Sequence, residues 1–314
     1  MSLEEDFERF RQERPLYAQL AHTLEAKARE ACRRSGIRCS VTSRAKALDS
    51  FAKKLILRPQ PYDDVFDKAG VRVLVAYPDD RDTVAKAMRD TFEVSWEKDF
   101  VTDLDPTRFE YRGLHLTIGL RADNREDVPA QLWPLVAELQ VHRPGEAVWA
   151  SVGHDLFYKS RLGGDRPARR AMNRLSALLE LVDISMAEIR KTLLTGPGAD
   201  VARIIDAIER DFLRLRGRPF SEPLTLDVVE ALRPLVGNVD AFLRAYLVFV
   251  ETNDAKLVHV FSEYEDDFRH ILLSQPESLL IFYLLGVDRP GLDERWPTSV
   301  PTKALDALSA VWAP

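Results

Sequence analysis

Cysteine is nearly absent from this chain: Cys32 and Cys39 are the only two in 314 residues. They are too few and too close together for a disulfide framework, so a reducing, cytoplasmic setting is the simplest expectation. Long apolar runs are also missing. None approaches the roughly 20 residues needed to cross a bilayer, and no membrane partner is expected. The opening MSLEEDFERF is acidic and mixed, unlike a signal peptide. An excess of positive charge is lacking too. The net charge of −6 argues against a general nucleic-acid coat but leaves room for a local basic pocket. Neither common glycine-rich phosphate cradle occurs (G-x-x-x-x-G-K-[ST] or G-x-G-x-x-G), and there is no G-x-S-x-G elbow. His154-Asp155 is a lone pair with no second histidine at metal-ligand spacing, so a transition-metal hydrolase site is not expected.

What remains is a soluble-type composition, 46% hydrophobic and 30% charged, with periodic segments. Residues 3–34 read as helix, interrupted or restarted near Pro15, with Leu16, Leu20, Leu24 and Ala28 as a stripe. RCSVTS (38–43) reads as a strand and 44–57 as a helix, with Leu48, Phe51 and Leu55 on one side. Arg44, Lys46, Ser50 and Lys54 gather on the other. VRVLVA (71–76) has the β-branched continuity of a central strand. A helix over 79–92, a strand start at 93–96, an acidic loop over 98–109, and strands over 111–120 and 135–142 follow. This order predicts a mixed α/β or α+β sheet domain over residues 1–165. Beyond Gly163-Gly164 the pattern is helical: 166–216 as an extension with Leu175, Leu178, Leu179 and Val182 inward, then 217–314 as a module of short helices without a repeat.

Polar chemistry concentrates in VAELQVHRPGEAVWASVGHDLFYKS (136–160). There a strand with Glu138 and Gln140 meets Pro144-Gly145, and a helical period then carries Trp149, His154, Asp155, Tyr158 and Lys159. Such density at a strand-to-helix turn suits a site better than a packed corner. Asp67 and Glu138 are two carboxylates on or before neighbouring sheet elements, and Arg44, Lys46, Lys54 and Arg72 can converge on the same end. Tyr111 and His115, four apart at the start of a strand, point to one face. Carboxylates for Mg²⁺, cations for phosphates and an aromatic for a base together describe a nucleotide-phosphate site.

Taken in order, Arg44, Lys46, Ser50 and Lys54, FDKAGVRV with Asp67 and Arg72, YRGLH, ELQVH, and WASVGHDLFYK resemble the synthetase domain of the RelA/SpoT family over residues 16–159. The resemblance implies a nucleotidyltransferase-like mixed β-sheet flanked by helices, here followed by an all-helical C-terminal region. The implied activity is transfer of the β,γ-pyrophosphate of ATP to the 3′-hydroxyl of GDP or GTP, giving (p)ppGpp. It further implies that Arg44, Lys46, Ser50, Lys54 and Arg72 hold ATP and that Asp67 binds Mg²⁺. Glu138 assists the metal or takes the hydroxyl proton, Tyr111 stacks on the acceptor base, and His115 and Arg112 lie close to the acceptor. Gln140, His154 and Lys159 fall in an outer ring, where His154 and Lys159 either touch nucleotide or brace the sheet edge. The family's small synthetases also imply a homo-oligomer.

Two departures bear on the acceptor. The lysine-rich P-K-x-N-G-Y-x-S-x-H loop is replaced by DLDPTRFEYRGLH, where Arg108 and Arg112 are the remaining cations. His142-Arg143 stands in place of Arg-Thr after the ELQV run. A 5′-diphosphate needs positive partners, so an adenosine nucleotide or the 3′-CCA end of tRNA stands beside GDP and GTP as acceptor. A non-catalytic nucleotide-binding scaffold is the third reading, disfavoured by the presence of both Asp67 and Glu138. No segment resembles the family's hydrolase domain, so alarmone breakdown is not expected.

Overall fold

The computed structural model describes residues 3–100, 113–153, 166–217, 222–264 and 268–312. The chain divides into two compact units, Met1–Cys32 with Arg38–Glu188, and Arg33–Ile37 with Ile189–Pro314. The division falls inside the helix Arg166–Thr195, which the sequence assigned whole to an extension.

The first unit is built on a five-stranded mixed sheet. Its strands are β1 (Cys39–Ala45), β2 (Ala69–Val75), β3 (Glu93–Asp99), β4 (Leu114–Gly119) and β5 (Ala137–His142), in the spatial order β1-β2-β5-β4-β3. Only β2 and β5 run parallel. Side chains alternate along each strand, so the register sorts them into two faces. On one face Val41, Val73, Val141 and Leu114 form a row, and Val71, Leu139 and Leu116 form the next. All seven are at most 4% exposed. On the other face Arg44, Gly70, Glu138 and Thr117 form one row, and Thr42, Arg72, Gln140 and His115 the other. A strand that reads as continuous and β-branched at 71–76 thus still keeps a strict alternation, interrupted by Gly70 and Arg72.

Helix α1 (Leu3–Arg34) is unbroken. The expected interruption at Pro15 does not occur, because Pro15 lies on the exposed side, where water can take the carbonyl its missing N–H leaves free. Phe10 of α1 stacks on Phe51 of α2 (Leu48–Leu57) at 4.1 Å, and Phe51 meets Tyr62 edge-on at 5.9 Å. Helix α2 begins four residues later than the sequence suggested. Seven residue pairs join β1 to β2 as far as Ala45↔Ala69, so Arg44 belongs to the sheet and Lys46 to the connection, not to the helix. Helix α3 (Arg81–Thr91) buries Val84, Ala85 and Met88.

Helix α4 (Pro144–Gly153) starts directly after β5. Its first turn is fixed by two carboxylates. The Arg143 N–H donates to Glu146 Oε2 at 2.7 Å, half of a capping box, and the Gly145 N–H donates to Asp183 of α5 (Arg166–Thr195) at 2.9 Å. A Cβ at Gly145 would lie 2.7 Å from the Leu179 carbonyl oxygen, so only glycine permits this approach. Trp149 is buried against Met172, Leu175 and Leu179. Two of the residues expected inward on α5 are not: Leu178 is 60% and Val182 49% exposed, and Val148 of α4 is also exposed. Periodicity located the helix but not the width of its covered stripe.

The second unit is helical, with α6 (Ala199–Arg216), α7 (Glu222–Val236), α8 (Val239–Thr252), α9 (Asp254–Glu263), α10 (Glu277–Val287), α11 (Arg289–Glu294) and α12 (Thr302–Trp312). After α9 comes a 3-10 stretch, Phe268–Ser274. Helix α10 buries Leu279, Leu280, Ile281, Phe282 and Leu284, apolar on every side, and so forms the centre of this unit's core. No described helix is long and apolar enough to cross a membrane.

Leu139 is fully buried between Val71 and Leu116, one residue from Glu138. Leu139→Ala is expected to lower unfolding free energy by about 2–5 kcal/mol, measured by urea titration.

Candidate functional site

The polar sheet face opens into a cavity of about 440 Å³ lined by Thr42, Arg44, Lys46, Ser50, Asp67, Gly70, Arg72, Glu138 and Gln140, among others. The backbone explains the convergence. The Lys46 N–H donates to the Lys68 carbonyl at 2.9 Å, which sets the β1–α2 connection beside the 3-10 turn Phe66–Lys68 that carries Asp67. Arg14 Nε from α1 donates to the Lys46 carbonyl at 3.0 Å and holds the connection from behind. Lys68, next to Asp67, points away from the cavity into the fold. Its ammonium donates to the Tyr62 carbonyl at 2.9 Å and sits 3.9 Å from the Tyr62 ring centroid. Burial pushes the Lys68 ammonium down to about 8.

Asp67 receives two charge-assisted hydrogen bonds, Lys46 Nζ to Oδ2 and Lys54 Nζ to Oδ1, each 2.7 Å. Burial alone would raise its carboxyl, but the two ammonium groups outweigh it and hold Asp67 below the usual aspartate range. Glu138 is engaged similarly. His115 Nδ1 lies 3.0 Å from Oε1, and Gln140 Nε2 donates to Oε2 at 2.8 Å. Burial pushes Glu138 up while the His115 contact pulls it down, and the net direction is down. Arg72 Nη2 donates to Gln140 Oε1 at 3.2 Å, so the amide of Gln140 links a cation to a carboxylate.

Arg44, Lys46, Arg72 and, through Asp67, Lys54 therefore surround two carboxylates. Burial and the nearby Arg44 cation both press the Arg72 guanidinium down. A face with more cation than anion accepts a polyanion, and the two carboxylates are the groups that could hold a divalent cation. Among the described residues no group of three or more His, Cys, Asp or Glu converges as a ready cage. The donor set present, two carboxylates beside an anion-receptive cavity, fits an ion of the Mg²⁺ kind, which is held by one or two carboxylates and completes its shell with substrate phosphates and water.

Most of the residues picked out in the sequence meet here: Arg44, Lys46, Ser50, Asp67, Arg72, Glu138 and Gln140 line the cavity, while Lys54 and His115 bond its carboxylates. Tyr111, Arg112, His154 and Lys159 lie outside the described residues. Sequence reasoning missed Gly70 and Thr42, which the register places beside Glu138 and Arg72. The available signal was the alternation itself, since residues two apart share a face.

His142 continues the Glu138–Gln140 face but is 1% exposed. Its ring nitrogens have no hydrogen-bond partner among the described residues, and its ring centroid lies 6.1 Å from that of His115. Burial, followed by the Arg72 and His115 charges, pushes it down to about 3, so it is neutral at physiological pH.

The fold and this face define a mixed-sheet α/β domain with an anion-receptive polar side. Residues 43–162 match the protein-family model described as "Region found in RelA / SpoT proteins". The structure is similar to that of the small alarmone synthetase 1 from Bacillus subtilis, at 22% identity and a TM-score of 0.50. The match covers 60% of this chain and 99% of that one, and the likeness establishes the fold. A GTP pyrophosphokinase family protein from Streptococcus pneumoniae is also similar, at 23% identity and a TM-score of 0.49, covering 63% of this chain and all of that one. No curated protein matches the chain.

A carboxyl held below its unfolded value stabilises the fold above that value and ceases to do so as pH falls through its folded pKa. The stability difference between wild type and Asp67→Asn is therefore expected to be full at pH 7. It should shrink only below pH 3.8, the ordinary aspartate value, which urea midpoints across pH would show.

Proposed function

We propose that this protein is an ATP-dependent nucleotide pyrophosphotransferase that moves the β,γ-pyrophosphate of ATP to the 3′-hydroxyl of GDP or GTP. One observation carries the reading: two carboxylates and four cations from separate elements meet at one cavity on the polar sheet face, within the RelA/SpoT-type segment. In the reaction the 3′-oxygen bonds to the β-phosphorus, the bond from that phosphorus to the α,β-bridging oxygen breaks, and AMP leaves with the electron pair. The hydroxyl proton passes to Glu138 or to water.

The chain's own residues supply position and charge, which is what phosphoryl-type transfer needs most. Arg44, Lys46, Lys54 and Arg72 would neutralise the phosphate chain, with Ser50 as a neutral donor beside them. Glu138, oriented by His115 and Gln140, faces the same cavity from the parallel strand and is the group suited to receive the proton. Asp67 and Glu138 would hold Mg²⁺, which would supply further charge neutralisation on the migrating phosphates. Tyr111, Arg112 and His115 would meet the acceptor. The net charge of −6 favours a free nucleotide over tRNA as the acceptor.

Incubation with γ-³²P-labelled ATP, Mg²⁺ and, in turn, GDP, GTP, AMP, ATP and bulk tRNA tests this. Label on the guanosine nucleotides is the expected result. Label only on tRNA or an adenosine nucleotide would replace the acceptor, and no transfer to any of them would sink the reading. Asp67→Asn and Glu138→Gln should each lower kcat by about 10²-fold or more.

Gly70 gives a separate test of the cavity. A Cβ there would meet nothing nearer than the Glu138 carbonyl oxygen at 3.9 Å, so the backbone tolerates a side chain, which would project between Arg44 and Glu138. Gly70→Val should keep or raise the unfolding midpoint, since valine suits a strand better than glycine. It should lower kcat/KM for ATP by about 10²-fold by displacing the nucleotide.

A further inference from the structure

The Asp67 clasp does more than gather charge. Both carboxylate oxygens are bonded to ammonium groups at 2.7 Å, one from the β1–α2 connection and one from α2. A divalent cation approaching Asp67 would meet two positive charges already seated there. Nothing else in the cavity compensates, because the other carboxylate, Glu138, is engaged by His115 and Gln140 on its two oxygens. No cage of three or more metal-binding side chains forms among the described residues, so the protein alone offers the cation little. A nucleotide changes both terms. Its phosphates supply new partners for the lysines and new oxygens for the metal. Lysine suits such an exchange, being a point charge on a flexible stem with three rotatable donors.

We propose that Lys46 and Lys54 gate metal loading: they occupy Asp67 until nucleotide phosphates draw them off, so that the divalent cation binds with the nucleotide and not before it. The gate rests on the pyrophosphotransferase reading above and adds an order of assembly to it. It also gives the two lysines a second role. Besides neutralising phosphate, they hold Asp67 in place.

Two equilibrium measurements test it without turnover. In the first, Mn²⁺ stands in for Mg²⁺ and its free concentration is followed by electron paramagnetic resonance. The Lys46→Gln/Lys54→Gln double variant is expected to bind Mn²⁺ alone at least tenfold more tightly than wild type. Adding Asp67→Asn to that variant should remove the gain. Wild type binding Mn²⁺ as tightly as the double variant, or a gain that survives Asp67→Asn, overturns the proposal. The side chains of Lys46, Lys54 and Asp67 are 19%, 25% and 24% exposed, so these substitutions fall at the rim of the fold and not in its core.

The second measurement needs no lysine variant. Freed from a competing carboxylate, the lysines of Asp67→Asn should bind ATP in EDTA at least threefold more tightly than wild type. With Mg²⁺ present the same variant should bind ATP more weakly. A merely structural Asp67 would weaken binding in both conditions, and that result overturns the gate. Pyrophosphate transfer that persists while either arm fails removes the gate alone. Both arms as expected without transfer to any acceptor leave the gate standing and remove the reaction.

Discussion

The parallel pairing of β2 with β5 is the constraint on which the rest of the domain depends. It sets Gly70 opposite Glu138 and Arg72 opposite Gln140, while β1, antiparallel on the outer side, adds Arg44 and Thr42 to the same two rows. A slip of one residue in any of these strands would turn its cations or carboxylates into the apolar face and its valines out of it. Burial of Val71, Val73, Leu139 and Val141 therefore fixes the chemistry as well as the stability. The site inherits its precision from the core behind it.

Asp67 lies outside that register, and other contacts place it. The 3-10 turn carrying it is anchored by Lys68, whose ammonium is buried against Tyr62, and Tyr62 in turn donates to Glu13 Oε2 of α1 at 2.6 Å. The long N-terminal helix thus helps position a carboxylate far from it in sequence. Arg14 from the same helix holds the Lys46 carbonyl. One helix steadies both partners of the Lys46–Asp67 pair, which explains why a segment with no chemistry of its own precedes the site.

Much of the sheet was legible because alternation and β-branching report directly on strands with one buried face. VRVLVA and AELQVH were readable as strands, and their polar residues as one face, without any tertiary information. The polar residues of the site were legible as types and spacings, chiefly through the ordered blocks shared with the RelA/SpoT family. What the sequence hid was local. Lys46 fits a helical face as well as a connection, since Lys46, Ser50 and Lys54 recur every four residues, and Arg44 just before them carries no signal of its own to mark a boundary. Only the pairing of β1 through Ala45↔Ala69 decides between them. Gly70 carried no chemical signal at all, and its meaning came from the neighbours the register gave it.

The same reasoning separates the residues expected around ATP from those expected around the acceptor. Of the residues expected around ATP, Arg44, Arg72, Ser50 and Lys54 sit on β1, β2 and α2, while Lys46 lies in the β1–α2 connection, which backbone and side-chain contacts hold in place. Tyr111 and Arg112, the residues expected at the acceptor, lie outside the described residues, in DLDPTRFEYRGLH, a sequence that departs from the family's lysine-rich pattern. His142 marks the same departure from within the sheet. It is a neutral, buried imidazole on the face shared by Glu138 and Gln140, where the family's run carries arginine. A cation there would sit beside Arg72 and Arg81, whose charges already press His142 toward its neutral form. A neutral ring at this position avoids that repulsion and leaves the face with one positive charge fewer. The positive charge of this face is thus concentrated around Asp67 and Glu138, in Arg44, Lys46, Lys54 and Arg72, and not spread toward position 142.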